Sequence, residues 1–116
     1  MRLQGKTAII TGGARGIGAA IAEGYVKEGA RVCVADLNFG EADALAQKID
    51  NGSFAYALNV TKLDEIKACV AECEKRFGGI DILVNNAAVF DMAPWGEITE
   101  KSYDFVFDVN VKGLIF

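Results

Sequence analysis

Histidine is missing from the 116-residue chain, and proline and tryptophan occur once each, as Pro94 and Trp95. Without histidine, neither Ser-His-Asp catalysis nor a histidine-ligated zinc can be assembled from these residues. The three cysteines, Cys33, Cys69 and Cys73, fit no disulfide framework and no C-x-x-C motif, so a reducing cytoplasm is the default compartment. No apolar stretch is long enough to span a bilayer. Arg2 and Lys6 precede only a strand-length apolar run, which is not the pattern of a signal peptide. A formal net charge of -4 provides no basic footprint for nucleic acid or an anionic membrane surface. Repeats, low-complexity segments and internal linkers are also lacking. A hydrophobic fraction of 52% with 24% charged residues reads as globular. The length allows one domain at most and is short for a complete two-half dinucleotide fold.

What the chain does have is a regular alternation of two element types. Lys6 to Thr11 reads as a buried strand and Gly16 to about Glu28 as a helix stopped by Gly29. Arg31 to Ala35 is a second buried strand, in which Cys33 is a small core residue rather than a reactive thiol. Glu41 to Asp50 is a helix ended by Asn51-Gly52, and Phe54 to Leu58 a third strand. Thr61 is expected to cap the next helix in a capping box with Asp64. Along that helix Ile66, Cys69, Val70, Cys73 and Phe77 keep the helical period, and Gly78-Gly79 ends it. Cys69 and Cys73 invite a metal reading, but two soft ligands are too few, so they are assigned to the core and no metal is expected. Asp81 to Val84 is a fourth strand, followed by a polar loop and a last helix from about Glu100, capped by Thr99. The order βαβαβαβα predicts a doubly wound parallel sheet of the Rossmann type, with right-handed crossovers and helices on both faces.

The candidate site follows from what lies just past the strands' carboxyl ends, where ligands bind in such sheets. Thr11-Gly12-Gly13-Ala14-Arg15-Gly16-Ile17-Gly18 leaves a strand, turns through glycines and enters a helix, the arrangement that presents unpaired N–H groups to a phosphate. Its spacing is G-x-x-x-G-x-G rather than the G-x-G-x-x-G dinucleotide fingerprint, and a tight strand–helix turn can need glycine without binding anything. Asp36 ends the second strand 18 residues after Gly18, where an acidic residue can bond the adenosine ribose hydroxyls. It also disfavours a 2′-phosphate, since like charges near 4 Å repel by about 4 kcal/mol at an effective dielectric near 20. Arg15 points the other way, because a guanidinium in the loop could receive that phosphate. Asp36 would sit on the hydroxyls themselves, so the cofactor expected is NAD. Asn59 and Asn85-Asn86 also fall just past strand ends, with a capped strand end as the plain alternative for the pair.

Taken together, Thr11-Gly12-x-x-x-Gly16-x-Gly18, Asp36, Asn85-Asn86-Ala87 and Asn110-Val111-Lys112-Gly113 resemble the short-chain dehydrogenase/reductase family over essentially the whole chain. Asn85 to Pro94, with Glu97-Ile98-Thr99 and Ser102-Tyr103-Asp104, is similar to bacterial polyol dehydrogenases of the sorbitol and galactitol type. The resemblance implies that Gly12, Arg15, Gly16, Ile17 and Gly18 cradle the pyrophosphate and that Asp36 and Leu37 hold the adenosine ribose. It places Asn59-Val60 where the family usually has Asp-Val against adenine; the asparagine carbonyl could still accept from the adenine amino group. It sets Asn86 and Ala87 along the cofactor, with Ala88 replacing the family's more frequent glycine. It makes Asn110 the catalytic-relay residue of the last helix, holding a water; a satisfied buried asparagine is the alternative.

The family's catalytic serine and Tyr-x-x-x-Lys pair do not occur in these residues, as Tyr25, Tyr56 and Tyr103 are followed four places on by Gly29, Val60 and Phe107. The chain is therefore expected to be the cofactor-binding N-terminal part, residues 1–116, of a longer single-domain enzyme. The implied activity is NAD-dependent hydride transfer with a secondary alcohol or ketone, a polyol before a ketoacyl substrate. The implied assembly is a dimer or tetramer. A non-catalytic dinucleotide-binding sensor on the same fold is the reading from another class.

Overall fold

The computed structural model describes residues 1–87. The loop with Pro94 and Trp95, the helix expected from about Glu100, and the site candidates Ala88 and Asn110 lie outside the described residues.

Within them, strands and helices alternate in the predicted order. They are β1 (Thr7–Thr11), α1 (Gly16–Lys27), β2 (Arg31–Asp36), α2 (Phe39–Ile49), β3 (Phe54–Ala57), α3 (Leu63–Phe77) and β4 (Ile82–Val84). All pairings are parallel, and the strands stand side by side as β3-β2-β1-β4. The chain therefore winds outward from β1 through β2 to β3, then returns to place β4 on the other side of β1. The strand order reverses between β1 and β4, and a cleft opens at the carboxyl ends there, which is where doubly wound sheets bind ligands.

Side chains alternate across the sheet, as the two-residue strand period requires. Ala8, Ile10, Val32 and Val34 face α1 and α2, where Ala22, Ala42, Leu45 and Ala46 meet them. Ile9, Cys33 and Ala35 face the opposite way and form a second layer with Phe54, Leu58 and, from α3, Cys69, Cys73 and Phe77. Both faces of β1 and β2 are thus covered, which is why those strands read as unbroken apolar runs. Phe54 and Phe77 close one side of the second layer with ring centroids 5.2 Å apart.

The helix starts depart from the sequence expectation in two places. Helix α2 begins at Phe39, because the Asn38 side chain accepts the Glu41 N–H at 3.1 Å and caps it. Thr61 does not cap α3: the position before the helix is Lys62, and no side chain caps it. The Thr61 hydroxyl instead donates back to Asn59 Oδ1 at 2.6 Å, and the Thr61 N–H donates to the same oxygen at 2.9 Å. A local turn built on Asn59 competes for the hydroxyl and wins.

The cysteines differ as well. Cys33 of β2 comes up beneath Cys69 and Cys73 of α3, so that all three Sγ atoms lie within 4.8 Å of one another. A third soft ligand is therefore beside the helical pair after all; residues 33 and 69 are distant in sequence and meet only through sheet–helix packing. The neighbouring thiols Cys69 and Cys73, together with burial, push the Cys33 thiol above its ordinary range.

Candidate functional site

At the switch point β1 ends in Thr11, and its hydroxyl is the hub of a small network. It accepts the N–H groups of Asn86 and Ala87, each at 3.1 Å, and donates to the Val84 carbonyl at 3.3 Å. The Asn86 side chain in turn donates to the Gly12 carbonyl at 3.0 Å. These bonds clip the end of β4 to the start of the glycine turn and hold both walls of the cleft at a fixed distance.

The turn itself is shaped by close approach. A side chain on Gly18 would meet the Gly12 carbonyl at 2.3 Å and the Asn86 amide nitrogen at 2.6 Å, so only glycine lets α1 sit this near the turn. Gly16 takes φ +58° with open space where its side chain would be. The loop is tied to β2 through the Ala14 N–H, which donates to Asp36 Oδ2 at 3.1 Å.

Among the described residues, helix α1 starts differently from the other two helices. Its first turn has no side-chain cap and no acidic residue, whereas α2 is capped by Asn38 and carries Glu41, and α3 carries Asp64 and Glu65. The leading N–H groups and positive end of α1 are left for an external anion.

A cavity of about 380 Å³ opens over these elements. Gly12, Arg15, Asp36, Leu37, Asn59, Val60, Asn86 and Ala87, all singled out from the sequence, line it together. Gly18 lies beneath the wall as a packing residue, and Ile17 is exposed at the start of α1. Asn38, Ala35 and Leu58 complete the lining and were not anticipated. The one signal for Asn38 is a capping-type side chain two places after the strand-end aspartate, ahead of an amphipathic helical pattern that becomes plain only from Glu41.

The Asp36 carboxylate is held in place by two backbone donors, Ala14 on Oδ2 at 3.1 Å and Asn38 on Oδ1 at 3.0 Å. A carboxylate offers about four acceptor positions, so about two remain for a ligand. Arg15, on the rim, lies with Nε 3.0 Å from Glu41 Oε2 on α2. Asn59 differs from expectation: its side-chain oxygen already accepts twice from Thr61, so both lone pairs are used. The carbonyl proposed for an adenine amino group is spent, and the amide NH₂ is the side-chain group left to the pocket.

The residues present fit the diphosphate and adenosine ribose of a dinucleotide. A glycine turn without side chains leads into an uncapped helix, and an anchored carboxylate with free acceptors stands one strand away. No helix among the described residues is long and apolar enough to cross a membrane.

Comparison with known proteins agrees. The family described as short chain dehydrogenase matches residues 6–116. Sorbitol dehydrogenase of Cereibacter sphaeroides is 59% identical over 116 residues, all of this chain and 45% of that protein. Galactitol 2-dehydrogenase of Agrobacterium fabrum (strain C58 / ATCC 33970) is 52% identical, with the same coverage of both chains. The crystal structure of 3-ketoacyl-(acyl-carrier-protein) reductase from Brucella melitensis complexed with NADH superposes with a TM-score of 0.94 at 32% identity, covering 97% of this chain and 47% of that one. The chain thus spans about half the length of the relatives it matches. By sequence, by fold and by the build of its cleft, it belongs to the short-chain dehydrogenase/reductase family of oxidoreductases.

Proposed function

We propose that this chain is the cofactor-binding part of an NAD-dependent dehydrogenase acting on a secondary alcohol or ketone, with a polyol of the sorbitol type as substrate. The observation that carries the cofactor choice is the anchored Asp36 carboxylate on the pocket wall, with Glu41 close by on α2. Its remaining acceptors suit the 2′- and 3′-hydroxyls of an adenosine ribose. A 2′-phosphate there would meet the Asp36 carboxylate directly, with the Glu41 carboxylate close by. The substrate class rests on the two polyol dehydrogenases at 52–59% identity. A ketoacyl substrate is the second reading, supported by the reductase structure at 32% identity.

When bound, the nicotinamide ring supplies the hydride acceptor. The glycine turn and the α1 N–H groups hold the diphosphate, Asp36 and Leu37 hold the ribose, Asn59 and Val60 border the adenine, and Asn86, Ala87 and Ala88 border the rest. Asn110 is assigned to a water in the proton relay. We assign the protein to the cytoplasm on its three free thiols, and to a homodimer or homotetramer by family.

The test is steady-state kinetics of the complete gene product with sorbitol and galactitol against NAD and NADP. Turnover with a polyol and preference for NAD are expected. Asp36→Ala should raise KM for NAD by roughly 10- to 100-fold, the loss of charge-assisted hydrogen bonds worth about 1.5–3 kcal/mol. It should also bring NADP toward parity with NAD. An unchanged NAD/NADP ratio in Asp36→Ala would remove Asp36 from the ribose site, and NAD binding without turnover of any alcohol would favour the sensor reading.

A further inference from the structure

On the face of the sheet away from α1 and α2, Cys33, Cys69 and Cys73 form a cluster that the cofactor site does not use. Their sulfurs lie within 4.8 Å of one another, and the residues are 0%, 2% and 0% exposed. Cys69 and Cys73 are four apart on α3 and present both sulfurs to the sheet, and Cys33 meets them from β2. The surroundings are apolar: Ile9, Ala35, Phe54, Leu58 and Phe77 share the layer. None of the three is disulfide-bonded.

We propose that Cys33, Cys69 and Cys73 are a three-thiolate binding site for a soft trivalent ion of the arsenite class. Ligand count comes first. Residues 1–116 hold only these three cysteines and no histidine, so they supply no fourth thiolate or imidazole. Zinc in closed protein sites takes four ligands, and three thiolates leave it short. Charge comes second. Three thiolates carry three negative charges, so a monovalent ion leaves two of them and a divalent ion leaves one in an apolar layer where unpaired charge is costly. A trivalent ion leaves none. Geometry comes third. Bonds of about 2.3 Å to a pyramidal ion put three ligating sulfurs about 3.3–3.5 Å apart. With all three sulfurs already within 4.8 Å of one another, the cluster reaches that spacing by a contraction of side chains.

The step needs no oxidant or reductant. Arsenous acid meets three thiols; three As–O and three S–H bonds break and three As–S bonds form. The thiol protons leave with the hydroxyls as three waters, and arsenic stays trivalent. Bound there, the ion ties β2 to α3. Cys33 stands three residues before Asp36, and α3 begins four residues after Asn59, so the tie joins the two elements flanking the adenosine end of the pocket.

The test uses the complete gene product, kept reduced with a phosphine, and sodium arsenite as the probe. Native mass spectrometry should show one added arsenic less three hydrogens per chain, and X-ray absorption at the arsenic edge should show three sulfur neighbours and no oxygen. Cys33→Ser should weaken arsenite binding by more than about 100-fold, since loss of a mere supporting hydrogen bond costs about 10- to 100-fold in metal affinity. No uptake overturns the proposal, as does bound arsenic with two sulfurs and an oxygen, or unchanged affinity in Cys33→Ser. Where Cys33→Ser folds poorly, peptide mapping of the unaltered protein decides the matter: arsenite should shield Cys33, Cys69 and Cys73 from alkylation in the unfolding step, and shielding of other cysteines instead overturns the proposal.

Discussion

The two ends of the β1–β4 pair are clipped together by similar means and yet differ in what they can do. At the amino end, Asp81 accepts the Thr7 N–H at 2.9 Å and lies 3.3 Å from the Thr7 hydroxyl, which also donates to the Gly79 carbonyl at 2.8 Å. At the carboxyl end, the Thr11 hydroxyl takes two N–H groups and the Asn86 amide reaches the Gly12 carbonyl. Each threonine is nearly buried, 3% and 7% exposed, and each clip satisfies backbone groups that would otherwise be orphaned. At the amino end the groups satisfy one another. The carboxyl end additionally exposes an uncapped helix start and a carboxylate with acceptors to spare. Clipping two strands is therefore a structural duty common to both ends, and donors and acceptors left over mark the functional one.

The sharpest way to break that contrast is to fill the space beneath the glycine turn. Gly18→Ala puts a methyl group 2.3 Å from the Gly12 carbonyl and 2.9 Å from the Gly13 Cα, both backbone atoms, and 2.6 Å from the Asn86 side-chain amide. Overpacking of this kind costs about 1–3 kcal/mol, and α1 must move away from the turn to relieve it. The expected outcome is a lower denaturant midpoint together with loss of measurable NAD binding by calorimetry. Retained affinity would mean that the helix start does not hold the diphosphate.

A paired substitution then separates the two ends. Thr11→Val removes the shared acceptor of the Asn86 and Ala87 N–H groups, and Asp81→Ala removes the acceptor of the Thr7 N–H. The Ala87 and Thr7 N–H groups lose these acceptors, whereas the Asn86 N–H keeps the Val84 carbonyl at 3.1 Å; an unpaired donor costs about 1–3 kcal/mol, so both variants should unfold at lower denaturant. Only Thr11→Val should also weaken NAD, because Asn86 and Ala87 line the pocket and Asp81 does not. Equal loss of affinity in both would show that the pocket senses general stability rather than the local clip.

Much of this was legible in the sequence because it is local. The strands, the glycine turn and Asp36 are read from residues within one or two elements, where hydrophobic run, helix period and strand end are visible directly. The misreadings have two sources, local turns that compete for one side chain and contacts between elements distant in sequence. The hydroxyl of Thr61 could serve either α3 or Asn59, and spacing alone does not say which turn forms first. Asn38 as cap of α2 hides behind Phe39 and Gly40, which look like loop rather than helix. The meeting of Cys33 with Cys69 and Cys73 depends on which strand face turns toward α3, and periodicity fixes that only when the sheet order is known. The Thr11 hydroxyl sat inside the recognised motif, but its partners are 73 to 76 residues away.

Asn59 carries the smallest expected effect and the one whose sign is most instructive. Both lone pairs of its side-chain oxygen are taken by Thr61, so the asparagine can only donate toward the pocket. Asn59→Asp keeps an oxygen for Thr61 and adds a second that can accept from an adenine amino group. Two local effects act on the new charge. Its place on the turn leading into α3 favours an anion, an effect that fades beyond the first helical turn, whereas Glu65, whose carboxylate accepts the Asn59 N–H at 3.1 Å, repels it. These oppose each other, so stability should change little. Affinity for NAD should rise by about 2- to 10-fold, the worth of one net hydrogen bond of about 0.5–1.5 kcal/mol. Calorimetry with NAD and with nicotinamide mononucleotide tells where the gain lies, since only the former carries adenine. A gain for NAD alone places the adenine beside Asn59; no gain for either would put the base elsewhere in the cleft and leave Asn59 as the anchor of the Thr61 turn.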